Sequence, residues 1–410
     1  MAKKKKAKPT QDPAPAQKPR AAYRHFGLGK DPFTTSSLQA RDLDCFVGRV
    51  ALLGRLTSSI LSLSNVGIAG EAGAGKSSLM RLLESRVPAA YNRVSVCVPL
   101  DDATYFLSEV LREIQVAAPA VPGVRWAELG RRLEKEALSK NAIFSLIKSI
   151  VSRSRKPFVV FVDDLEKVKG DRVRHLTRSE RTLQLLEELK PLLELHRAAF
   201  VVSLQEEFYS KVNLVVKEGA DPTVLGLFKN VVLVEKFTDP EMREILAARL
   251  RGAGSKAKPE EFLEPEALTL ALSMAGGNAR RFLYLLSEGM YRGYARGGAR
   301  VEFQDLFEAL NEHLKLDLVC KKLLYFLAKS GRAVASNPDL QAFMGLDMIS
   351  IARRLEILTK NRLAEIVDYA EGTKVYGLSQ FKPQAPPALL KGGAERTFLL
   401  GSENAGGGEP

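Results

Sequence analysis

The sequence predicts an α/β protein: a five-stranded parallel sheet covered by helices on both faces, then a helical lid domain, then a small domain of three helices and a β-hairpin. Three observations carry this prediction. Apolar runs at Asn65–Ala69, Arg93–Val98, Phe158–Val162, Ala198–Ser203 and Asn230–Val234 alternate with helical patterning, as in a parallel sheet buried on both faces. From Asp239 to about His313 the pattern is helical, with breaks near Gly252–Ser255 and at Gly276-Gly277. From Leu316 three helical stretches precede two strand-like runs joined at Glu371-Gly372.

Composition sets the broad class. A hydrophobic content of 45% with 27% charged residues is that of an ordinary globular protein. No apolar run approaches the length of a membrane span and no signal-peptide core is present, so a cytoplasmic protein without a membrane role is expected. Cys45, Cys97 and Cys320 are scattered, which disfavours a disulfide framework or a zinc site. Charge is uneven: residues 1–30 hold seven lysines and two arginines against Asp12 alone, a net +8 of the chain's +13. Residues 1–25 therefore read as a disordered basic arm, suited either to phosphate backbones or to solubility. The Gly-, Pro- and Ala-rich residues 381–410 read as a disordered tail.

In order, Phe46-Val47-Gly48-Arg49 precedes a helix through Ile60, and the first strand then runs into Gly70-Glu71-Ala72-Gly73-Ala74-Gly75-Lys76-Ser77. That octet is a Walker A loop, and the helical pattern from Ser78 onward gives it the strand–loop–helix setting it requires. Its glycines let backbone N–H groups turn toward phosphate oxygens, and the helix behind it presents a positive N-terminus. Lys76 is placed to reach the β- and γ-phosphates of ATP, and the Ser77 hydroxyl to ligate Mg2+. One helix is expected from Trp126 to about Ser152 and another from Thr182 to Leu195, flanking the third strand. Asp163, at the end of that strand, suits the Walker B role on magnesium, with Asp164 or Glu166 orienting water. The following stretch, Lys167–Arg181, is basic and reads equally as a nucleic-acid grip or a solvated connector.

The series Phe46–Arg49, Walker A, Walker B and Gly276-Gly277-Asn278-Ala279-Arg280-Arg281 resembles AAA+ ATPases, particularly the origin-recognition and initiator branch and the related transposition-regulator ATPases. The resemblance implies that Val47, Gly48 and Arg49 line an adenine pocket, that Arg280 is the sensor 2 contact to the γ-phosphate, and that Ser203 is sensor 1. Two departures stand out. The acidic pair reads Asp163-Asp164 where the family has Asp-Glu, which implies slow hydrolysis or a switch that mainly binds ATP. No arginine occurs between Arg197 and Arg243, so Lys229 stands where a trans-acting finger would be.

Initiator-like members end in a winged helix, and the three helices and hairpin of 316–380 match that layout. On its third helix Met348, Ile351, Ala352, Leu355 and Leu358 form an apolar stripe, leaving Ser350, Arg353, Arg354, Lys360 and Asn361 for a DNA groove and its phosphates. The expected organisation is the arm 1–25, a nucleotide-binding domain 26–238, the lid 239–315, the winged helix 316–380 and the tail 381–410. Function then reads as a nucleotide-switched, DNA-binding ATPase with protein partners and nucleotide-dependent homo-oligomerisation. The alternative is a signalling, STAND-like ATPase whose winged helix binds protein.

Overall fold

The computed structural model describes residues 18–97, 103–135, 138–163, 178–207, 228, 230–255, 258–314, 316–370 and 372–379. They fall into two units, one spanning Ser37–Phe237, the other formed by the described residues before and after it.

In the first unit a 3-10 turn, Ala40–Cys45, leads to α2 (Val50–Leu61), a helix α1 having preceded it in the other unit. Then follow β1 (Val66–Gly70), α3 (Lys76–Arg86), β2 (Asn92–Cys97), α4 (Ala103–Ala117), α5 (Trp126–Lys135), α6 (Lys140–Arg153), β3 (Phe158–Asp163), α7 (Arg178–Glu188), α8 (Lys190–Leu193), β4 (Ala198–Gln205) and β5 (Asn230–Leu233). The sheet is parallel throughout with strand order β2-β3-β4-β1-β5. Alternating side chains fill two cores. Val159 and Phe161 join Leu53, Leu56, Ile60, Leu79 and Leu83 on one face. Phe158, Val160 and Val162 join Phe106, Val110, Ile147 and Leu186 on the other. Period-two alternation with both faces covered is what makes each strand read as a continuous apolar run. Buried Asn65 pins β1 to its surroundings, donating to the Leu193 carbonyl at 2.8 Å and accepting from Phe200 N–H at 2.9 Å.

Two expected helices are divided. The one expected over 126–152 ends at Lys135, and a new one starts at Lys140 because Ser139 caps it by accepting from Ala142 N–H. The one expected over 182–195 is interrupted at Leu189, where Pro191 enters the first turn of α8.

The second unit begins with α1 (Lys18–His25). Residues 18–25, expected within the disordered arm, are helical because tertiary contacts hold them. Ala22 is fully buried, His25 lies edge-on to Tyr294, and Phe26 lies edge-on to Phe262. Residues 1–17 of the arm, and the tail, lie outside the described residues. The unit continues with α9 (Asp239–Gly252), opened by a Thr238–Glu241 capping box, then α10 (Pro259–Phe262), α11 (Pro265–Ala275), α12 (Ala279–Arg296) and α13 (Phe303–Leu314). Next come α14 (Leu318–Ser330), β6 (Ala333–Val334), α15 (Pro338–Met344), α16 (Met348–Lys360), β7 (Ala364–Ala370) and β8 (Thr373–Leu378). The last three strands form an antiparallel sheet ordered β6-β8-β7; the short β6 is an addition to the expected hairpin. Phe303 of α13 meets Tyr325 of α14 edge-on, so the terminal helices pack on the helical segment before them.

Candidate nucleotide site

β1 delivers the chain to Gly70, and the loop through Gly75 turns it into α3. Two glycines are required by geometry. A Cβ on Gly70 would lie 2.8 Å from the Val234 carbonyl oxygen, too close for any other residue. Gly75 caps α3 with a left-handed φ of 91°, a region open to glycine at no steric cost. The free N–H groups and positive dipole end of α3 thus open directly out of the loop. Lys76 is buried at 4% exposure, and its Nζ donates to the carbonyls of Gly70 at 2.8 Å and Glu71 at 3.1 Å. An ammonium in such a cradle gains from an anionic oxygen, because charge-assisted hydrogen bonds are roughly twice as strong as neutral ones. Ser77 follows in the first turn of α3, and the Ser78 hydroxyl accepts from Leu38 N–H at 3.2 Å.

Sheet order places the remaining groups. Asp163 ends β3 opposite Cys97 of β2. β4 lies between β3 and β1, so Asp163 and the loop stand two strand spacings apart, about 10 Å. Ser203 occupies the gap: it pairs with Ile68 of β1 and lies one residue beyond the Val162–Val202 pair. It is fully buried, and its hydroxyl has no hydrogen-bond partner among the described residues. Orphaned buried hydroxyls are uncommon in native proteins. This set fits a magnesium-bound triphosphate: a glycine cradle, a buried lysine, Ser77, a strand-end carboxylate and an unsatisfied hydroxyl. Asp164, Glu166 and Lys229 lie outside the described residues.

The Phe46–Arg49 segment reaches the same loop. Val47 is buried, Gly48 has φ 74° and Arg49 caps α2 at φ 60°. The Arg49 guanidinium donates to the Glu235 carbonyl at 2.8 Å and stacks 4.0 Å from the Phe237 ring centroid. A Cβ on Gly75 would touch both side chains at 3.5 Å. Sequence reasoning missed Lys236 and Phe237. Lys236 pairs with Glu71 inside the Walker A loop at 3.0 Å. Only the non-sequential β1–β5 pairing brings them there.

The family model described as Novel STAND NTPase 1 matches residues 33–276, more than half of the chain. The chain belongs to the Novel STAND NTPase 1 family. It is a P-loop NTPase, as the Walker A loop implied, and a STAND family is the class named in the alternative reading of the sequence. No curated protein matches the sequence. Among solved structures, the chain is similar to the Aeropyrum pernix ORC1 protein in complex with DNA, at 20% identity and TM-score 0.45, over 82% of this chain and 90% of that one. It is similar to the Aeropyrum pernix ORC2 protein in ADPNP–ADP complexes, at 13% identity and TM-score 0.47, over 86% and 94%. It is also similar to the Thermotoga maritima RuvB Holliday junction branch migration motor, at 14% identity and TM-score 0.36, over 80% and 92%.

In the second unit of this STAND NTPase, Arg280 sits in the first turn of α12, half-buried, and Arg281 beside it is buried. Asn278 caps that helix by accepting from Arg281 N–H at 3.1 Å, after a left-handed Gly276-Gly277 pair. On α16 the stripe Ile351, Leu355 and Leu358 is buried as expected, whereas Met348 is 48% exposed, because it lies in the first turn beyond the packed core. Arg353 and Lys360 are exposed. Arg354 differs: it pairs with Asp317, the cap of α14, at 2.6 Å. Burial disfavours the charged Asp317 carboxyl, but the Cys320 hydrogen bonds and Arg354 outweigh it and hold the carboxyl below the usual carboxylate range.

Proposed function

We propose that this NTPase is an ATP- and magnesium-dependent signalling switch with slow hydrolysis, whose nucleotide state governs self-association and whose C-terminal winged helix docks a protein. Lys76 and the loop amides bind the phosphates, and Ser77 and Asp163 hold the metal, which supplies charge neutralisation at the phosphates. Ser203 donates to the nucleotide or its water, Asp164 or Glu166 orients that water, and Arg280 contacts the γ-phosphate. The observation that carries the protein-docking reading is the exposed face of α16. Ile349, Arg353, Ile357 and Lys360 share it at helical spacing, with Ile349 61% and Ile357 37% exposed. Val367 and Tyr369 of β7 are exposed as well, beside the acids Glu365 and Asp368. A face that alternates isoleucine with cations suits an apolar partner edged with acids. Phosphate backbones reward only its cations.

A second reading, DNA binding, is favoured by the exposed cations Arg353 and Lys360 on α16 and Arg362 just after it, and by the basic N-terminal residues. One experiment decides. DNA affinity is measured at two salt concentrations for the full chain and for versions lacking 1–17 or 316–380. Protein docking predicts weak binding that falls only with loss of the basic arm. Binding that also needs 316–380 overturns the docking reading in favour of DNA. The nucleotide reading itself is tested by Lys76→Ala, which should abolish ATP binding.

A further inference from the structure

The four residues after β5 embrace the Walker A loop at both of its ends. Val234 N–H donates to the Ala69 carbonyl at 2.7 Å, and the Val234 carbonyl closes on Gly70. Lys236 pairs with Glu71 at 3.0 Å. Glu235 and Phe237 hold the Arg49 guanidinium, which lies against Gly75. Lys76 donates to the backbone carbonyls of the same two residues, Gly70 and Glu71, from inside the loop. The loop is thereby gripped from without by a segment that carries no part of the Walker motifs.

We propose that Val234–Phe237 is a positioning strap, in which Lys236 acting through Glu71, and Phe237 acting through Arg49, hold the Walker A loop in its phosphate-binding shape and so set nucleotide affinity. This rests on the loop being the nucleotide site. The two halves of the strap differ in physics. The Lys236–Glu71 pair is partly exposed, at 38% and 26%, so salt screens it. The Arg49–Phe237 stack is sheltered, with Phe237 only 8% exposed, and salt affects it little.

The test is ATP and ADP affinity of the full-length chain by calorimetry, with Lys236→Gln, Glu71→Gln, the double variant, Phe237→Leu, and Lys76→Ala as the control on the site itself. Lys236→Gln should weaken binding by about two- to fivefold at low salt, in keeping with a partly exposed pair, and less at high salt. In the Glu71→Gln background the same change should have little further effect, since a coupled pair is non-additive. Phe237→Leu should weaken binding equally at both salts. An equal effect of Lys236→Gln in both backgrounds would mean direct action on the nucleotide and overturn the strap. So would unchanged affinity in Lys236→Gln and Phe237→Leu, or a loss of thermal stability without nucleotide while affinity stays at the wild-type value. If wild-type protein and Lys76→Ala bind alike, the site assignment fails first, and the strap with it.

Discussion

Ser203 is the residue whose environment is hardest to explain without a ligand. A hydroxyl buried without a partner costs about 1–3 kcal/mol, so removing it should not destabilise the fold. Ser203→Ala is expected to melt at the wild-type temperature or slightly above it, while ATP hydrolysis falls by about tenfold, the scale of one lost hydrogen bond to a reacting group. Thermal melts and phosphate release check the two halves separately, and unchanged hydrolysis removes Ser203 from the mechanism. Cysteine reactivity gives an independent reading of burial. Burial, followed by the neighbouring Asp317, pushes the Cys320 thiol up to about 12, so its thiolate is scarce at pH 8. Cys45 is buried too, whereas Cys97 is exposed at the end of β2. A maleimide should therefore modify Cys97 first, with Cys320 and Cys45 protected until unfolding. Peptide mass spectrometry would show it, and rapid labelling of Cys320 would contradict the packing of α14.

At the scale of elements, α12 depends on its cap. Asn278 is buried and accepts from Arg281 N–H, so Asn278→Ala should cost about 1 kcal/mol and increase amide exchange through the first turn, where Arg280 sits. Protection unchanged in that turn would show that packing alone holds the helix. The break at Gly276-Gly277 before this helix was legible in the sequence because a tandem glycine is a local signal. The sheet was legible for a related reason: burial on both faces leaves each strand an uninterrupted apolar run. What was hidden depends on distant partners. Helix α1 lies in a stretch of lysine, arginine and alanine, and distant contacts explain its order: the burial of Ala22 and the His25–Tyr294 and Phe26–Phe262 ring pairs. Lys236 was missed because nothing local says that β5 pairs with β1 and brings it to Glu71. Arg354 looked free for phosphates because its partner, Asp317, is far away in sequence.

At the scale of the whole chain, the two units should respond differently to acid. Asp317 caps α14 and Asp347 caps α16, and both carboxyls are held below their ordinary range. Asp347 is held there by Ser350, whose N–H and hydroxyl donate to it; for Asp317, cap hydrogen bonds and Arg354 override the opposing effect of burial. A depressed folded-state pKa contributes stability that is present above the unfolded value, near 3.9 for aspartate, and is lost as pH falls through the folded value. Both carboxylates secure the unit that contains Thr238–Ser379, through two helix starts and the tie from α14 to α16. The sheet unit is held by two apolar cores, which protonation leaves intact. Acidification from pH 7 to below about 4 should thus expose amides of α14 and α16 before those of β1, β3 and β4. Trp126, the single tryptophan, lies on α5 and packs against a sheet core, so its emission reports the sheet unit alone. Its signal should hold while exchange in α14 and α16 rises. Asp317→Asn, which keeps a capping side chain but forfeits the charge, should flatten that acid response, and loss of the tryptophan signal first would reverse the order of stability argued from these contacts.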